Sequence, residues 1–245
     1  MSRNIAVLGK GSLFTAVCRF LRERGFAPLT LEQLADHDVC AVVDVNPGVD
    51  GQKRQQLQLA EARISPQTPI YTSTLHRTAT EIASWLSVPE RVVGFSPLGL
   101  EQFPVLEVAC PLQAEEVKGW DQHLRLAESW GKQVERVGDQ PGLVFPRILS
   151  LLVNEAAFAL SEGISSKEEI DTAMKKGTNL PFGPLEWADR VGIEQIAAVL
   201  EGMQREWGDD RYRPAPLLKK MIYAGYVGIA AGRGFYHYQD AKLGG

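Results

Sequence analysis

The chain has 245 residues, 44% hydrophobic and 23% charged, with a net charge of −4. That is enough for one large domain or two small ones in an ordinary globular composition. Charges of both signs are interspersed, which leaves no basic stripe for nucleic acid and no polybasic patch for a membrane, so the expected partner is a small molecule or another protein.

The N-terminus enters a strand at once, in "MSRNIAVLGKG". Short β-branched runs ("IAVLG", "VCAVVDV", "PIYTST", "RVVGFSP") then alternate with helical stretches ("FTAVCRFLRERG", "QKRQQLQLAEA", "TATEIASWLS"). This is the pattern of a parallel sheet with crossover helices. After "VGDQPG" the strand signal stops. Helical periodicity runs from Leu143 to Gly163, Ser166 to Gly177, Ile193 to Trp207 and Pro216 to Ala224, with Ser166 placed as an N-cap and Gly163 and Gly177 suited to C-caps. An α/β half, residues 1–138, therefore precedes an all-α half, residues 139–245. The three cysteines, Cys18, Cys40 and Cys110, read as buried thiols of a reducing compartment. No apolar leader or membrane-length apolar run occurs, so the expected location is cytoplasmic.

In "VLGKGSLF", Gly9 and Gly11 let the chain turn sharply off the first strand and bring backbone N–H groups at a helix N-terminus close to a pyrophosphate. The third glycine of a full dinucleotide fingerprint is replaced by Phe14. Glu32, 23 residues after Gly9, stands where an acidic side chain would bond the adenosine ribose. It also fits the first turn of "LEQLA" behind a Thr30–Gln33 capping pair, and both readings stay open. Lys53 and Arg54 open a helix behind "NPG", where they could touch a cofactor; a solvated helix face is the expected reading. His76 is expected in an exposed loop, since no orienting carboxylate lies near it in sequence. Metal-ligand spacing, a nucleophile elbow and a Walker loop are all missing from the pattern.

The helical half carries a resemblance. "PGLVFPRILSLLVNEAAFALSEGISSKEEIDTAMKKGTNLPFGPLEWADRVG", with "RYRPAPLLKKM" and "AGRGFYHY", resembles the C-terminal domain of the 3-hydroxyacyl-CoA dehydrogenases, including 3-hydroxybutyryl-CoA dehydrogenase. "TATEIA", "PERVVGFSP" and "VLEVACP" match that family's Rossmann domain in order. The helical half is similar also to the degenerate second copy in bacterial 3-hydroxyadipyl-CoA dehydrogenase. The resemblance implies a Rossmann-like NAD-binding domain followed by a helical dimerisation domain like the C-terminal domain of 6-phosphogluconate dehydrogenase. It implies hydride transfer between a 3-hydroxyacyl-CoA and NAD, and a dimer.

Carried over residue by residue, the family's chemistry is largely missing. Its catalytic histidine falls on Ser96, its serine on Leu75 and its asparagine on Pro146; only the glutamate that orients the base has a match, Glu107 in "VLEVA". A serine hydroxyl stays protonated at neutral pH without help, and proline offers no side-chain donor. Two helices that help shape the family's acyl-CoA site are also absent, because His37 follows Glu32 by only five positions. The expectation is therefore a non-catalytic or accessory member, paired with itself or with a related dehydrogenase and able to take an acyl-CoA ligand. A working dehydrogenase with rearranged catalysis and a CoA-ester or dinucleotide binder are the alternatives.

Overall fold

The computed structural model describes residues 3–48 and 51–238. Contacts divide the chain into two compact units, Met1–Val144 and Phe145–Gly245.

The first unit is a seven-stranded sheet in the order β2-β1-β3-β4-β5-β6-β7. Its strands are β1 Asn4–Leu8, β2 Ala27–Leu29, β3 Ala41–Asp44, β4 Ile70–Ser73, β5 Val92–Phe95, β6 Val105–Ala109 and β7 Gln133–Val137. Four helices accompany them: α1 Gly11–Glu23, α2 Gln52–Glu61, α3 Ala79–Ala83 and α4 Leu124–Ser129. The central strands are apolar at successive positions because both faces are covered. Ile5, Val7, Val43, Tyr71, Val93 and Phe95 enter one core with Phe20 and Leu21 of α1, Ala127 of α4, and Trp120 and Trp130. Their alternates Ala6, Leu8, Val42, Ile70 and Val92 enter another with Leu57 and Ala60 of α2 and Ile82 of α3.

The expected parallel sheet needs one correction. Strands β1 to β5 are mutually parallel, but β6 pairs antiparallel with β5, and β7 follows β6. The connection from β5 to β6 holds no helix, and a crossover would be required to bring β6 back parallel. Between β2 and β3 the chain makes only a short 3-10 turn, Glu32–Ala35, consistent with the shortening read from the sequence.

The second unit is helical: α5 Phe145–Ser161, α6 Lys167–Thr178, α7 Pro184–Val191, α8 Ile193–Trp207 and α9 Pro216–Tyr223. Helix α7 was not among the segments expected from periodicity. Helix α8 buries Ile193, Ile196, Ala197, Val199, Leu200 and Met203 on one broad face, with Ala198 and Gly202 buried beyond it, and packs against α5, α7 and α9 as the centre of the unit. Ser166 caps α6 in a reciprocal capping box with Glu169. Gly163 takes the left-handed conformation just beyond α5, as expected. Gly177 does not end α6: it lies within the helix, and Asn179, at φ 55°, is the left-handed C-cap.

The glycines of two motifs in this unit answer to buried carboxylates. Helix α7 begins at Gly183 with no side-chain cap of its own; instead Asp171 of α6 accepts the N–H groups of Leu185 and Glu186, each at 2.9 Å. A Cβ on Gly183 would stand 2.2 Å from the Asp171 Cγ. Likewise Asp189 accepts the N–H groups of Phe235 and Tyr236, and a Cβ on Gly234 would stand 1.9 Å from its Oδ1. Burial holds the Asp189 carboxyl above the usual carboxylate range in spite of these donors.

Candidate functional site at the carboxyl edge of the sheet

In an open parallel sheet, ligands bind outside the carboxyl ends of the strands where the strand order reverses. Here the reversal lies between β1 and β3, since the chain leaves β1 toward β2 and returns to β3 on the other side. Gly9 follows β1 at this point with φ +132°, and a Cβ on it would approach Val45 Cγ2 to 2.7 Å. Gly11 opens α1 at φ +82° with open space where a side chain would be. Neither Lys10, the N-cap, nor any acidic first-turn residue supplies a cap to this 13-residue helix, so among the described residues its first N–H groups are not capped by a side chain of its own first turn. The turn fits a pyrophosphate.

Glu32 is exposed and opens the 3-10 turn after β2 rather than ending the strand; the Thr30 hydroxyl lowers its carboxyl pKa. The Thr30–Gln33 pair is formed as well, with Thr30 N–H donating to Gln33 Oε1 at 2.9 Å. Of the two uses read from the sequence, the capping pair is the one formed.

The four positions carried over from the family divide between the two units. Leu75 follows β4 and Ser96 follows β5, both at the carboxyl edge, and Glu107 lies within β6. The pairing Phe95 with Val108 continues to Ser96 opposite Glu107, where the Ser96 N–H meets the Glu107 carbonyl at 3.4 Å. Cross-strand neighbours of this kind share one face of the sheet. The backbone thus brings together the positions that in the family hold base and orienter. Their chemistry is different here. Ser96 is 4% exposed, and its hydroxyl has no hydrogen-bond partner among the described residues. Glu107 is half-buried, and its Oε2 accepts the Val144 N–H at 3.0 Å. Val144 is held in place by the preceding segment: Asp139 caps the N–H groups of Ala79 and Thr80, and Gly142 N–H donates to the Thr74 carbonyl at 2.7 Å. Leu75 is fully buried. Pro146 is buried in the first turn of α5, and Asn154 spends its amide on the Arg213 carbonyl and the Ala215 N–H.

Two expectations are corrected. His76 is not an exposed loop residue: it is 7% exposed at the carboxyl edge beyond β4. Lys53 is not on a solvated helix face either, being completely buried, whereas Arg54 is exposed. The signal that locates Lys53 was in the sequence, because Lys53, Leu57 and Ala60 occupy i, i+4 and i+7 of one helix and make its core stripe. Lys53 Nζ reaches Asp44 Oδ2 at 2.8 Å. Burial pulls its ammonium below the usual lysine range, and Asp44 opposes the shift.

A cavity of about 420 Å³ lies in the helical unit, lined by Glu168, Asp171, Thr172, Lys175, Glu186 and Tyr236 among others. Asp171 in its wall is already committed to α7 and the Tyr236 hydroxyl, so its carboxylate serves the fold. Among the described residues, no helix is long and apolar enough to cross a membrane. Cys18, Cys40 and Cys110 are free thiols.

Residues 142–238 match the family profile of the 3-hydroxyacyl-CoA dehydrogenase C-terminal domain. The chain is 34% identical over 212 residues to the probable 3-hydroxybutyryl-CoA dehydrogenase of Bacillus subtilis, covering 86% of this chain and 73% of that one. It is 41% identical over 98 residues to the 3-hydroxyadipyl-CoA dehydrogenase of Escherichia coli, a match covering 39% of this chain and 21% of that protein. The crystal structure of (S)-3-hydroxybutyryl-CoA dehydrogenase from Ralstonia eutropha superposes with a TM-score of 0.76 at 25% identity, covering 98% of this chain and all of that one. On fold, motif order and likeness over most of its length, the chain belongs to the 3-hydroxyacyl-CoA dehydrogenase family.

Proposed function

We propose that this chain is a non-catalytic family member, accessory to an active dehydrogenase, which keeps the dinucleotide crevice at Gly9, Gly11 and Glu32 and an affinity for acyl-CoA. The observation that carries the reading is the pair at β5 and β6: a buried serine stands opposite Glu107, and that carboxylate receives a backbone N–H. NAD, when bound, would supply hydride acceptance. Gly9 and Gly11 would face its pyrophosphate, and Glu32 its adenosine ribose, where a carboxylate disfavours a 2′-phosphate. What the pair does not supply is a base to take the hydroxyl proton as hydride leaves.

The test is oxidation of 3-hydroxybutyryl-CoA with NAD. Loss of a positioned general base removes a factor of about a hundred to ten thousand, so a rate that far below a family enzyme is expected. A normal rate, abolished by Glu107→Gln, would overturn the proposal.

His76 favours one second reading, a working dehydrogenase rebuilt around another base, because it is a buried histidine next to Leu75 at the same strand edge. That reading expects turnover that His76→Ala removes and Ser96→Ala leaves intact.

A further inference from the structure

We infer that Arg63 is a positioning residue for the adenosine half of a bound dinucleotide, acting through the turn that carries Glu32; this rests on the dinucleotide reading above. The two halves of a dinucleotide straddle the strand-order reversal, with adenosine on the β2 side. There the Glu32–Ala35 turn must present its carboxylate with little support of its own. Strand β2 is three residues long, lies at the edge of the sheet and pairs with β1 alone. The bonds inside the turn are long: Gln33 N–H donates to the Thr30 carbonyl at 3.2 Å and Leu34 N–H to the Leu31 carbonyl at 3.4 Å. Such 3-10 geometry makes a weaker ladder than an α-helix.

Arg63 ties the turn from outside. It follows Ala62, the C-cap of α2, and its Nη1 donates at 2.9 Å to the carbonyl of Leu31, the residue before Glu32. Leu31 and Ile64 pack against one core, in which Leu34 is buried, so the turn and the end of α2 share a seat. A second outside tie, from Asn4 Nδ2 to the Asp38 carbonyl at 3.0 Å, lies beyond the turn on the way to β3. Arg63 also acts on Glu32 through its charge: the Thr30 hydroxyl and the backbone N–H of Glu32 lower that carboxyl most, and the guanidinium lowers it further.

Arg63 is exposed, and a guanidinium carries more donors than one bond uses. By chemistry alone it could hold the turn or receive a phosphate on the ribose. The geometry favours the first, because Nη1 is spent on the backbone of the turn and the carboxylate next along the chain repels a 2′-phosphate. Stabilising the whole fold is not what this bond supplies. A bond to one neutral carbonyl at the surface shifts an equilibrium by about fivefold, which is small for a domain. The same factor is large for one turn, since affinity scales with the fraction of molecules that hold the binding-competent arrangement.

The experiment compares the wild type with Arg63→Met, which keeps the stem and removes the donors, with Glu32→Gln and with the double variant. Each is titrated with NADH and with NADPH, which differ by the 2′-phosphate alone. The wild type should prefer NADH. Arg63→Met should lower NADH affinity about fivefold and leave NADPH affinity within about twofold, so that the preference shrinks. In the Glu32→Gln background the same change should cost less than about twofold for NADH, because the carboxylate it positions is gone. A larger loss for NADPH than for NADH would make Arg63 a phosphate receptor and overturn the inference. Unchanged NADH affinity, equal losses for both cofactors, an undiminished loss in the Glu32→Gln background, loss of fold, or a wild type that prefers NADPH would each overturn it too, with the dinucleotide reading left standing. A wild type that binds neither cofactor overturns that reading and this inference with it.

Discussion

Asp171→Asn tests whether α7 depends on a cap supplied by α6. The replacement keeps size and shape, so no cavity forms, but an amide has one acceptor where the carboxylate has two. In the wild type Oδ1 accepts the Leu185 N–H, while Oδ2 accepts the Glu186 N–H and the Tyr236 hydroxyl, all at 2.9 Å. The Tyr236 hydroxyl can rotate to accept from the new amide, whereas a backbone N–H cannot. Whichever way the amide turns, one N–H of the first turn of α7 loses its acceptor at a residue that is 5% exposed. Such a loss costs about 1–3 kcal/mol. Removing the negative charge from the helix N-terminus adds up to about 1 kcal/mol. The expected destabilisation is about 1–4 kcal/mol, read as a shift in urea midpoint by circular dichroism at the helical band. Gly183→Ala should fall in the same range, because its Cβ would displace the same carboxylate by a different route. A loss below about 0.5 kcal/mol for Asp171→Asn would show that α7 is held by packing and that the cap contributes little.

The two glycines of the dinucleotide turn should differ: Gly9→Ala combines backbone strain with a 2.7 Å approach to buried Val45 and is expected to cost about 2–4 kcal/mol, whereas Gly11→Ala meets open space and should cost about 1 kcal/mol; equal costs in thermal denaturation would refute the packing argument. The Glu169 carboxyl, bonded by Ser165 and Ser166, is lowered from 4.5 to about 2. A folded pKa below the unfolded one means its contribution is present above about 4.5 and is lost as pH falls toward 2. NMR titration should find that low value, and Ser166→Ala should return it toward 4.5. Assembly is the remaining proposal. Ile148, Ile164, Trp207 and Tyr223 are large apolar side chains exposed on the helical unit, and pairing with a second copy or a related dehydrogenase would cover them. Sedimentation equilibrium at low micromolar concentration should therefore show a dimer, and a monomer mass unchanged by dilution, with no copurifying partner, would rule it out.

The sequence by itself determined the alternation of strands and helices up to "GDQPG", the helical remainder, the Ser166 cap and the family. These are local or periodic signals: β-branched runs, 3.6-residue spacing and motifs contiguous along the chain. The substitutions at Ser96, Leu75 and Pro146 were likewise legible, because they needed only register against "VVG", "TEIA" and "PGLVF". The reversal of β6 was legible in principle, since no crossover helix stands between Phe95 and Val105, but strand direction is set by pairing partners and is not written in either segment. Gly177 looked like a helix end because a glycine can adopt the left-handed conformation; whether it must depends on where packing stops the helix, and that fell to Asn179. Lys53 is the clearest division between the two levels. Its helix spacing with Leu57 and Ala60 was in the sequence, yet charge alone argued for solvent. Only the fold brings Asp44 and two carbonyls from separate segments within 3 Å of one ammonium, and that convergence is what makes burial of the charge tolerable.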